Sequence, residues 1–452
     1  MGVIVSLGKQ GGIDMTESTE KVQKAEKTGI VLGGGGSRGS YEIGVLQTLT
    51  DQGRTFDVVT GTSIGAICGA LYTQGSVDHL TDWIGSFTQD SVAKNLFVFP
   101  AQYTSAQGPF QDAGSFFAAF SKNGPQIEPL RQKLESLFDY KTFASSPKDF
   151  GCMTYNVTKQ QPQMFTKEDM TADNAIDVLL ASAAYFPAFN FVTLNGDYYI
   201  DGGFAETNPV QAAQKLGADS LVVVDVQDMD VPDPVLNSGD LLIRPIWKLA
   251  YYLDFDGVTL RNQVALGQLD ALKYLDLAPG YLYTFYPGDW NHMQRLETSA
   301  MELVAAEGES WMLEKMDPVM EEIYQFILGY VPRKLENKYT HEFIFGRILE
   351  CMGLIAGISP YRQMHFNDFI RELLEKFSAF DSDPDKTRTP MLYHAMEMKG
   401  LQDMLVFFHS AIQGFNGHLP KEFGILREKY LLPYYLAWGW HLMEKFRLFL
   451  LI

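Results

Sequence analysis

A serine between glycines is the residue of this sequence best placed to act as a nucleophile. It lies in Gly61-Thr62-Ser63-Ile64-Gly65, a Gly-x-Ser-x-Gly motif. Where such a motif joins a strand to a helix, its small residues permit a strained turn that exposes the serine Oγ. The sequence therefore predicts that Ser63 is a nucleophile held at a strand-to-helix elbow.

Two further glycine motifs could supply the other parts of such a site. Asp201-Gly202-Gly203 follows an apolar stretch and could hold a carboxylate at the rim of a sheet, where open α/β folds bind ligands. A glycine-rich loop could direct several backbone N–H groups at an anion or an oxyanion. The loop begins at Gly33 and continues through Gly34, Gly35, Gly36, Ser37, Arg38 and Gly39.

A serine nucleophile needs a base, and histidine is the usual one. Seven of the eight histidines follow residue 290, and His79 belongs to no motif. The sequence therefore favours a pair in which Asp201 accepts the proton of Ser63 directly. A dry pocket would raise the pKa of this aspartate and make it a stronger base.

Alternating strands and helices are predicted around these motifs. Apolar runs predict strands at 28–32, 56–60, 150–157, 221–224 and 281–286, and a hairpin at 191–200. Helical spacing predicts helices at 40–50, 66–72 and 173–185, and Asn208-Pro209 is typical of a helix start, with Asn208 as its N-cap. The alternation indicates a parallel sheet covered by helices, and from about residue 316 only helices are expected.

The three motifs, in this order, resemble the signatures of the patatin-like phospholipase family. The block Ala181 to Phe189 is also similar to the helix and turn that precede the family's aspartate. Clear motifs cover residues 28–226. Asp-Gly-Gly stands here where many relatives have Asp-Gly-Ala.

This resemblance implies a three-layer α/β/α sandwich with a mainly parallel central sheet, and lipid acyl hydrolase activity without a metal or other cofactor. It implies Ser63 as the nucleophile, Asp201 as the proton acceptor, and the N–H groups of the loop from Gly34 to Gly39 as the oxyanion hole. Phospholipase, lysophospholipase and neutral-lipid esterase activities all fit, so the headgroup, acyl position and chain length stay open.

Three regions are expected along the chain. Residues 1–27 form a flexible leader, 28–315 a hydrolase domain and 316–452 a C-terminal helical domain. Three widely spaced cysteines offer no disulfide framework, and neither a signal peptide nor a membrane-spanning run is evident. We therefore expect a cytoplasmic protein that contacts a membrane surface at most peripherally; the oligomeric state stays open.

Composition and charge exclude some partners. Of the 452 residues, 46% are hydrophobic and 20% are charged, which is typical of a globular protein. The net charge of −19 argues against nucleic acid. Residues 1–315 carry 21 basic and 38 acidic side chains, whereas residues 316–452 carry 15 and 17. Bulk charge should not draw the acidic part to anionic bilayers, so binding to lipid surfaces should depend weakly on salt.

Two other functions stay open. Gly34-x-Gly36-x-x-Gly39 also satisfies the dinucleotide fingerprint, which would indicate a nucleotide-dependent oxidoreductase. That fingerprint wants an acidic residue at the end of the second strand, whereas Asp57 opens this strand. The second alternative is a catalytically silent lipid-binding protein.

Two segments outside the motifs have open roles. The aromatic stretch 97–120 would serve equally well as a lid, as a wall for an acyl chain, or as ordinary core. The stretch 430–452 is aromatic and aliphatic, and its spacing favours a packed amphipathic helix over an interfacial membrane helix.

Overall fold

The structure is a computed structural model that describes residues 26–446 with gaps. The gaps are 76–79, 82, 85, 93–126, 187, 229–232, 308, 328–338, 340–342, 381–399, 416, 418 and 420–422. Residues 1–25 of the expected leader, the aromatic stretch 97–120 and residues 447–452 lie outside the described residues.

The described strands form one large sheet and one small sheet. They are β1 (Thr28–Leu32), β2 (Val58–Thr62), β3 (Asp149–Asn156), β4 (Gln161–Thr166), β5 (Val192–Leu194), β6 (Asp197–Asp201), β7 (Ser220–Val224), β8 (Leu241–Ile243), β9 (Thr284–Phe285) and β10 (Gln363–Met364). The large sheet has the order β5-β6-β3-β2-β1-β7-β8, with β4 paired to β3. Strands β3, β2, β1, β7 and β8 run parallel, while β4, β5 and β6 pair antiparallel.

The helices connect and cover these strands. Those described are α1 (Gly39–Asp51), α2 (Ile64–Thr73), α3 (Gln89–Val92), α4 (Glu128–Glu135), α5 (Tyr140–Ser145), α6 (Ala175–Ser182), α7 (Val210–Lys215), α8 (Gly257–Tyr274), α9 (Trp290–Ala306), α10 (Trp311–Glu314), α11 (Met316–Ile327), α12 (Ile344–Ile355), α13 (Phe366–Ser378), α14 (Leu401–Gly414), α15 (Gly424–Lys429) and α16 (Leu431–Phe446). Short 3₁₀ turns lie at Gly36–Arg38, Lys167–Asp169, Gly202–Phe204 and Pro287–Asp289.

Both faces of the sheet are covered, because successive side chains of a strand point to opposite sides. Ile30 and Leu32 of β1 belong to the main apolar core, which includes residues of α1, α2, α6 and α8. Val31 packs on the other side with Val210 of α7 and Val223 of β7. Each fully buried side chain of this kind contributes about 1.5–3 kcal/mol. The fold is the predicted three-layer α/β/α sandwich with a mainly parallel sheet.

Some predicted elements differ from the structure. Strand β2 starts and ends two residues later than predicted, since Gly61 pairs with Leu32 and Thr62 with Met153. Helix α7 begins at Val210, after Pro209, and no side chain caps it, so the predicted Asn208 cap is wrong.

The predicted last strand at 281–286 is also wrong as a member of the main sheet. It contributes only β9, which pairs with β10 in the small sheet. The region after residue 316 is therefore mostly, but not entirely, helical.

A second apolar core lies among the C-terminal helices. It joins side chains of α9 and α11–α14 with those of α16, and it also takes in most of 281–285. The division at 316 stays a prediction, and these contacts lead us to propose a boundary nearer residue 280. Helix α16 is buried along nearly its whole length, which confirms a packed helix for the described part of 430–452.

None of the described helices combines the length and hydropathy needed to cross a bilayer.

Candidate active site

Ser63 lies at the tight turn between β2 and α2. Its φ and ψ are 57° and −127°, a conformation that side chains other than glycine rarely adopt. Neighbouring glycines permit the turn. A Cβ on Gly65 would lie 2.4 Å from the Leu32 carbonyl oxygen, and one on Gly61 would lie 2.3 Å from the Gly65 oxygen.

The backbone of this elbow is held by a serine whose role the sequence did not reveal. The Ser63 N–H donates to Ser182 Oγ at 2.8 Å. Ser182, buried at the end of α6, donates in turn to the Met153 carbonyl of β3 at 2.6 Å. No local pattern predicts this role of Ser182, because its contact with residue 63 spans 119 residues and depends on long-range packing.

Asp201 ends β6, and its carboxyl group lies close enough to the side chain of Ser63 for the hydroxyl to lower its pKa. Its Oδ1 also accepts the N–H of Gly203 at 2.7 Å. Only 3% of the residue is exposed, and 8% of Ser63. Burial raises the pKa of Asp201 to about 6, although the Ser63 side chain and the Gly203 N–H act in the opposite direction. The carboxylate is therefore a stronger base than one in water.

Three other motif residues set close contacts around this pair. A Cβ on Gly202 would lie 2.3 Å from the Met153 carbonyl oxygen, and one on Gly39 would lie 2.3 Å from Ile64 Cγ1. Thr62 Oγ1 donates to the Glu206 carbonyl at 2.8 Å. Bulkier residues at 202 and 39 would push the motifs apart.

The glycine loop lies directly beside the nucleophile, and a Cβ on Gly34 would be 3.3 Å from the Cβ of Ser63. The N–H groups of Gly34 and Ser37 already donate to carbonyls of the chain at 3.0 and 2.8 Å, and the two amides after Ser37 close the 3₁₀ turn. Within the described residues, the N–H groups of Gly35 and Gly36 have no acceptor. They are the loop's available donors for an oxyanion.

Gly36 is fixed as glycine by two constraints. Its φ is +56°, in the left-handed region. A Cβ there would lie 2.1 Å from the carbonyl oxygen of Tyr252.

Arg38 is buried and fastens the loop to a distant segment. Its Nε donates to the Ala250 carbonyl at 2.8 Å, and a terminal nitrogen donates to the Val226 carbonyl at 3.2 Å. The other terminal nitrogen pairs with Asp228 at 3.1 Å. These bonds indicate that the arginine shapes the loop.

A cavity of about 360 Å³ opens in front of these groups. Its polar lining includes Ser63, Asp201 and the glycine loop, together with Gln227 and Tyr252. The rest of the lining forms an apolar wall that includes Ile64, Ile67, Phe87, Val92, Leu130, Phe189, Leu253 and Phe255.

Besides Asp201, the described lining of the cavity contains the carboxyl group of Asp228, which pairs with Arg38. The described lining includes no histidine. No three His, Cys, Asp or Glu side chains of the described residues are grouped so that they could hold a metal ion. Asp57 accepts the N–H of Thr28 at the amino end of β1, the far end from the glycine loop. It is therefore poorly placed for the ribose of a dinucleotide.

The fold and the site define a class: a three-layer α/β/α protein with a buried serine–aspartate pair beside a glycine loop. The family model described as patatin-like phospholipase matches residues 30–213, and this part of the chain belongs to the patatin-like phospholipase family.

Curated relatives match about half of the chain. Lysophospholipase NTE1 of Meyerozyma guilliermondii is 29% identical over 222 residues, which cover 49% of this chain and 14% of that protein. Lysophospholipase NTE1 of Candida albicans is 28% identical over 225 residues, with the same two coverages. The matched segment thus spans about a seventh of the length of these relatives.

Two solved structures show weaker likeness. VipD from Legionella pneumophila has a TM-score of 0.36 and 14% identity, with 93% of this chain and 91% of that chain covered. The type III effector ExoU has a TM-score of 0.28 and 12% identity, with 90% and 80% covered. Likeness at this level carries no argument about function.

Proposed function

We propose that this protein is a lipid acyl hydrolase that cleaves carboxylic esters through Ser63 and Asp201. The observation that carries the proposal is a strained serine and a buried aspartate that line one cavity together with Gly35 and Gly36, whose N–H groups are available. A nucleophile, a base and oxyanion donors around one cavity are the parts that acyl transfer requires.

In the first half of the reaction, Ser63 Oγ attacks the ester carbonyl carbon while Asp201 takes its proton. The carbonyl π electrons move to oxygen, which accepts hydrogen bonds from Gly35 and Gly36 N–H. Each such donor typically contributes about 3–4 kcal/mol to the transition state. The tetrahedral intermediate collapses, the C–O bond to the alcohol breaks, and Asp201 returns the proton to the departing alcohol oxygen.

In the second half, water attacks the acyl-serine and gives a proton to the same aspartate. The second tetrahedral intermediate releases the fatty acid, and the proton returns to Ser63 Oγ. Because one carboxyl group serves both halves, no histidine is required.

The apolar wall of the cavity supports an acyl chain as the group that is bound. Phe87, Leu130 and Phe255 lie on this wall, and Ile64 and Ile67 extend it from the first two turns of α2. The curated relatives are named lysophospholipases, so a lysophospholipid is the first natural substrate to test.

Substitution of the pair tests the mechanism. Ser63→Ala and Asp201→Asn should each reduce hydrolysis of p-nitrophenyl butyrate and of lysophosphatidylcholine by at least 10³-fold, because each removes a group that takes part in bond making. Released fatty acid is measured by mass spectrometry, and circular dichroism checks the fold.

Ser220→Ala is a matched control, since Ser220 lies at the amino end of β7, the end of the sheet away from the site. Its activity should equal that of the wild type. Wild-type activity in either folded site variant would refute the pair.

The silent lipid-binding alternative makes a different prediction. A fluorophosphonate probe should label wild-type protein at Ser63 and fail to label Ser63→Ala. Well-folded wild-type protein without label and without ester turnover would favour the silent protein, and NAD(P) binding in a thermal-shift assay would favour the oxidoreductase.

A further inference from the structure

Exposed aromatic rings lie in two contacting pairs, and one ring of the second pair, Tyr185, lines the cavity. Phe191, Tyr198 and Phe204 are 47%, 52% and 48% exposed, although large apolar side chains are usually buried. Phe191 contacts Tyr198 at a centroid distance of 5.8 Å, and Phe204 stacks on Tyr185 at 6.0 Å. We call Tyr185, Phe191, Tyr198 and Phe204 the aromatic surface.

This surface continues into the cavity. Tyr185 also contacts Tyr252, with ring centroids 5.6 Å apart, and both residues line the cavity in front of Ser63. Phe191 precedes the first strand of a hairpin, and Tyr198 lies in the second strand, which ends at Asp201. A molecule that covers these rings would therefore lie over the entrance to the nucleophile.

The charge of the surface limits what can cover it. From residue 185 to residue 204 the sequence has no lysine or arginine, and its charged residues are Asp197 and Asp201. Asp197 pairs with Lys159 at 2.7 Å, and Asp201 is buried in the site. The charge of Lys159 is offset by Asp197, so among the described residues this pair gives anionic lipid headgroups no net positive charge. Phenylalanine and tyrosine rings suit the boundary between headgroups and acyl chains.

We propose that the aromatic surface docks the protein on the surface of a zwitterionic phospholipid bilayer, with the cavity mouth facing the lipid. The proposal rests on the proposed function, because an acyl chain must leave the bilayer to reach Ser63. Docking by ring insertion gives it a direct path along Tyr185 and Tyr252. Because contact is apolar, binding depends weakly on salt.

Sedimentation with phosphatidylcholine vesicles tests the docking in a Ser63→Ala background, so that hydrolysis plays no part. The triple substitution Phe191→Ser, Tyr198→Ser and Phe204→Ser should weaken binding at least tenfold. The single substitution Phe191→Ser should weaken it to a smaller extent, which covers a triple variant that fails to fold.

A matched control replaces three exposed apolar residues elsewhere, Tyr361, Phe415 and Ile425, with serine. Vesicle binding of this control should match that of Ser63→Ala.

Four outcomes would overturn the docking proposal. The first two are absence of vesicle binding by Ser63→Ala and unchanged binding in the variants of the aromatic surface. The other two are an equal loss of vesicle binding in the control variant and loss of binding in 0.5 M NaCl. A dimer that the triple substitution dissociates, without any vesicle binding, would assign the surface to a second copy of this chain. If vesicle binding meets every expectation but the wild-type protein shows no ester turnover, the proposed function is refuted and the docking surface is retained.

Discussion

The catalytic role proposed for Asp201 and its buried position favour opposite protonation states of its carboxyl group. It must be ionised to accept a proton, and it is buried where an ionised carboxyl is disfavoured. The hydrogen bond from Gly203 N–H and the nearby Ser63 hydroxyl offset part of this cost. The result is a base whose pKa lies near neutral pH, which is the range where general bases work best.

A pH profile follows from this raised pKa. Only the ionised form accepts a proton from Ser63, and the pKa of Asp201 is about 6, so kcat/KM should be constant above about pH 7. Below pH 6 it should fall about tenfold per pH unit. The rate of butyrate release from a soluble ester is measured by chromatography at each pH.

Protein held at pH 5 and returned to pH 8 must regain full activity, which separates titration from unfolding. A midpoint near pH 4 would mean that Asp201 titrates as a solvated carboxyl and that the site is wetter than its burial indicates.

At the residue scale, local motifs predicted those site residues whose position depends on the backbone of their sequence neighbours. Ser63, Asp201 and the glycine loop were named because their neighbours restrict the backbone. Ser182 and Tyr252 were not, since they reach Ser63 and the glycine loop through contacts that span 119 residues or more. The sequence pattern also gives no reason to prefer one loop N–H over another as an oxyanion donor. Gly34 differs from Gly35 and Gly36 only because its N–H donates to a distant carbonyl in the folded chain.

The approach of α2 to β1 is the element-scale contact that matters most for the elbow. Gly65 lies in the first turn of α2, and a Cβ there would lie 2.4 and 2.6 Å from the carbonyl oxygens of Leu32 and Gly33. Backbone atoms cannot move aside as a side chain end can. Helix α2 can therefore lie this close to the start of the glycine loop only because residue 65 has no Cβ.

Gly65→Ala should lower the free energy of unfolding by about 2–4 kcal/mol, because the helix must shift away from β1. The same shift moves Ser63 relative to the loop, so kcat should fall as well. Urea unfolding and ester turnover measure the two effects.

Gly414→Ala provides the comparison, since a Cβ at this helical position meets nothing within 4 Å. It should be neutral or stabilising by up to about 1 kcal/mol. Equal stability of the two variants would contradict the contact at Gly65.

The predicted elements were most accurate where burial dominates the sequence. Strands β1 and β7 are almost wholly buried, and each was predicted to within one residue. Strand β4 is half-exposed and reads Gln-Pro-Gln-Met-Phe-Thr, so no apolar run marked it. The three-residue β8 is too short to show a period, and 281–286 was apolar because it belongs to the second core.

At the scale of the whole molecule, a buried polar network joins the two cores. Glu350 of α12 accepts the backbone N–H of Tyr281 at 3.0 Å, and Lys273 of α8 donates to the carbonyl of the same residue at 2.9 Å. Lys273 also pairs with Asp270, which accepts a bond from Tyr41 of α1. The C-terminal helices are thus linked to the helix that follows the glycine loop.

Glu350→Ala should lower the free energy of unfolding by about 3 kcal/mol, since it leaves buried N–H groups without an acceptor. Thermal unfolding should also become broader or biphasic, because the link between the cores is weakened. Differential scanning calorimetry measures both.

Glu302→Ala on the exposed side of α9 is the control and should change little. Full stability of Glu350→Ala would show that the two cores hold together without the network.

The early start of the second core has a practical consequence for recombinant fragments. A fragment that stops at residue 315 would keep α9 but lose the helices that cover Met293, Leu296 and Val304. Such a fragment would expose a contiguous apolar surface to solvent and should aggregate during expression. The hydrolase motifs therefore cannot be moved into a fusion protein at that cut.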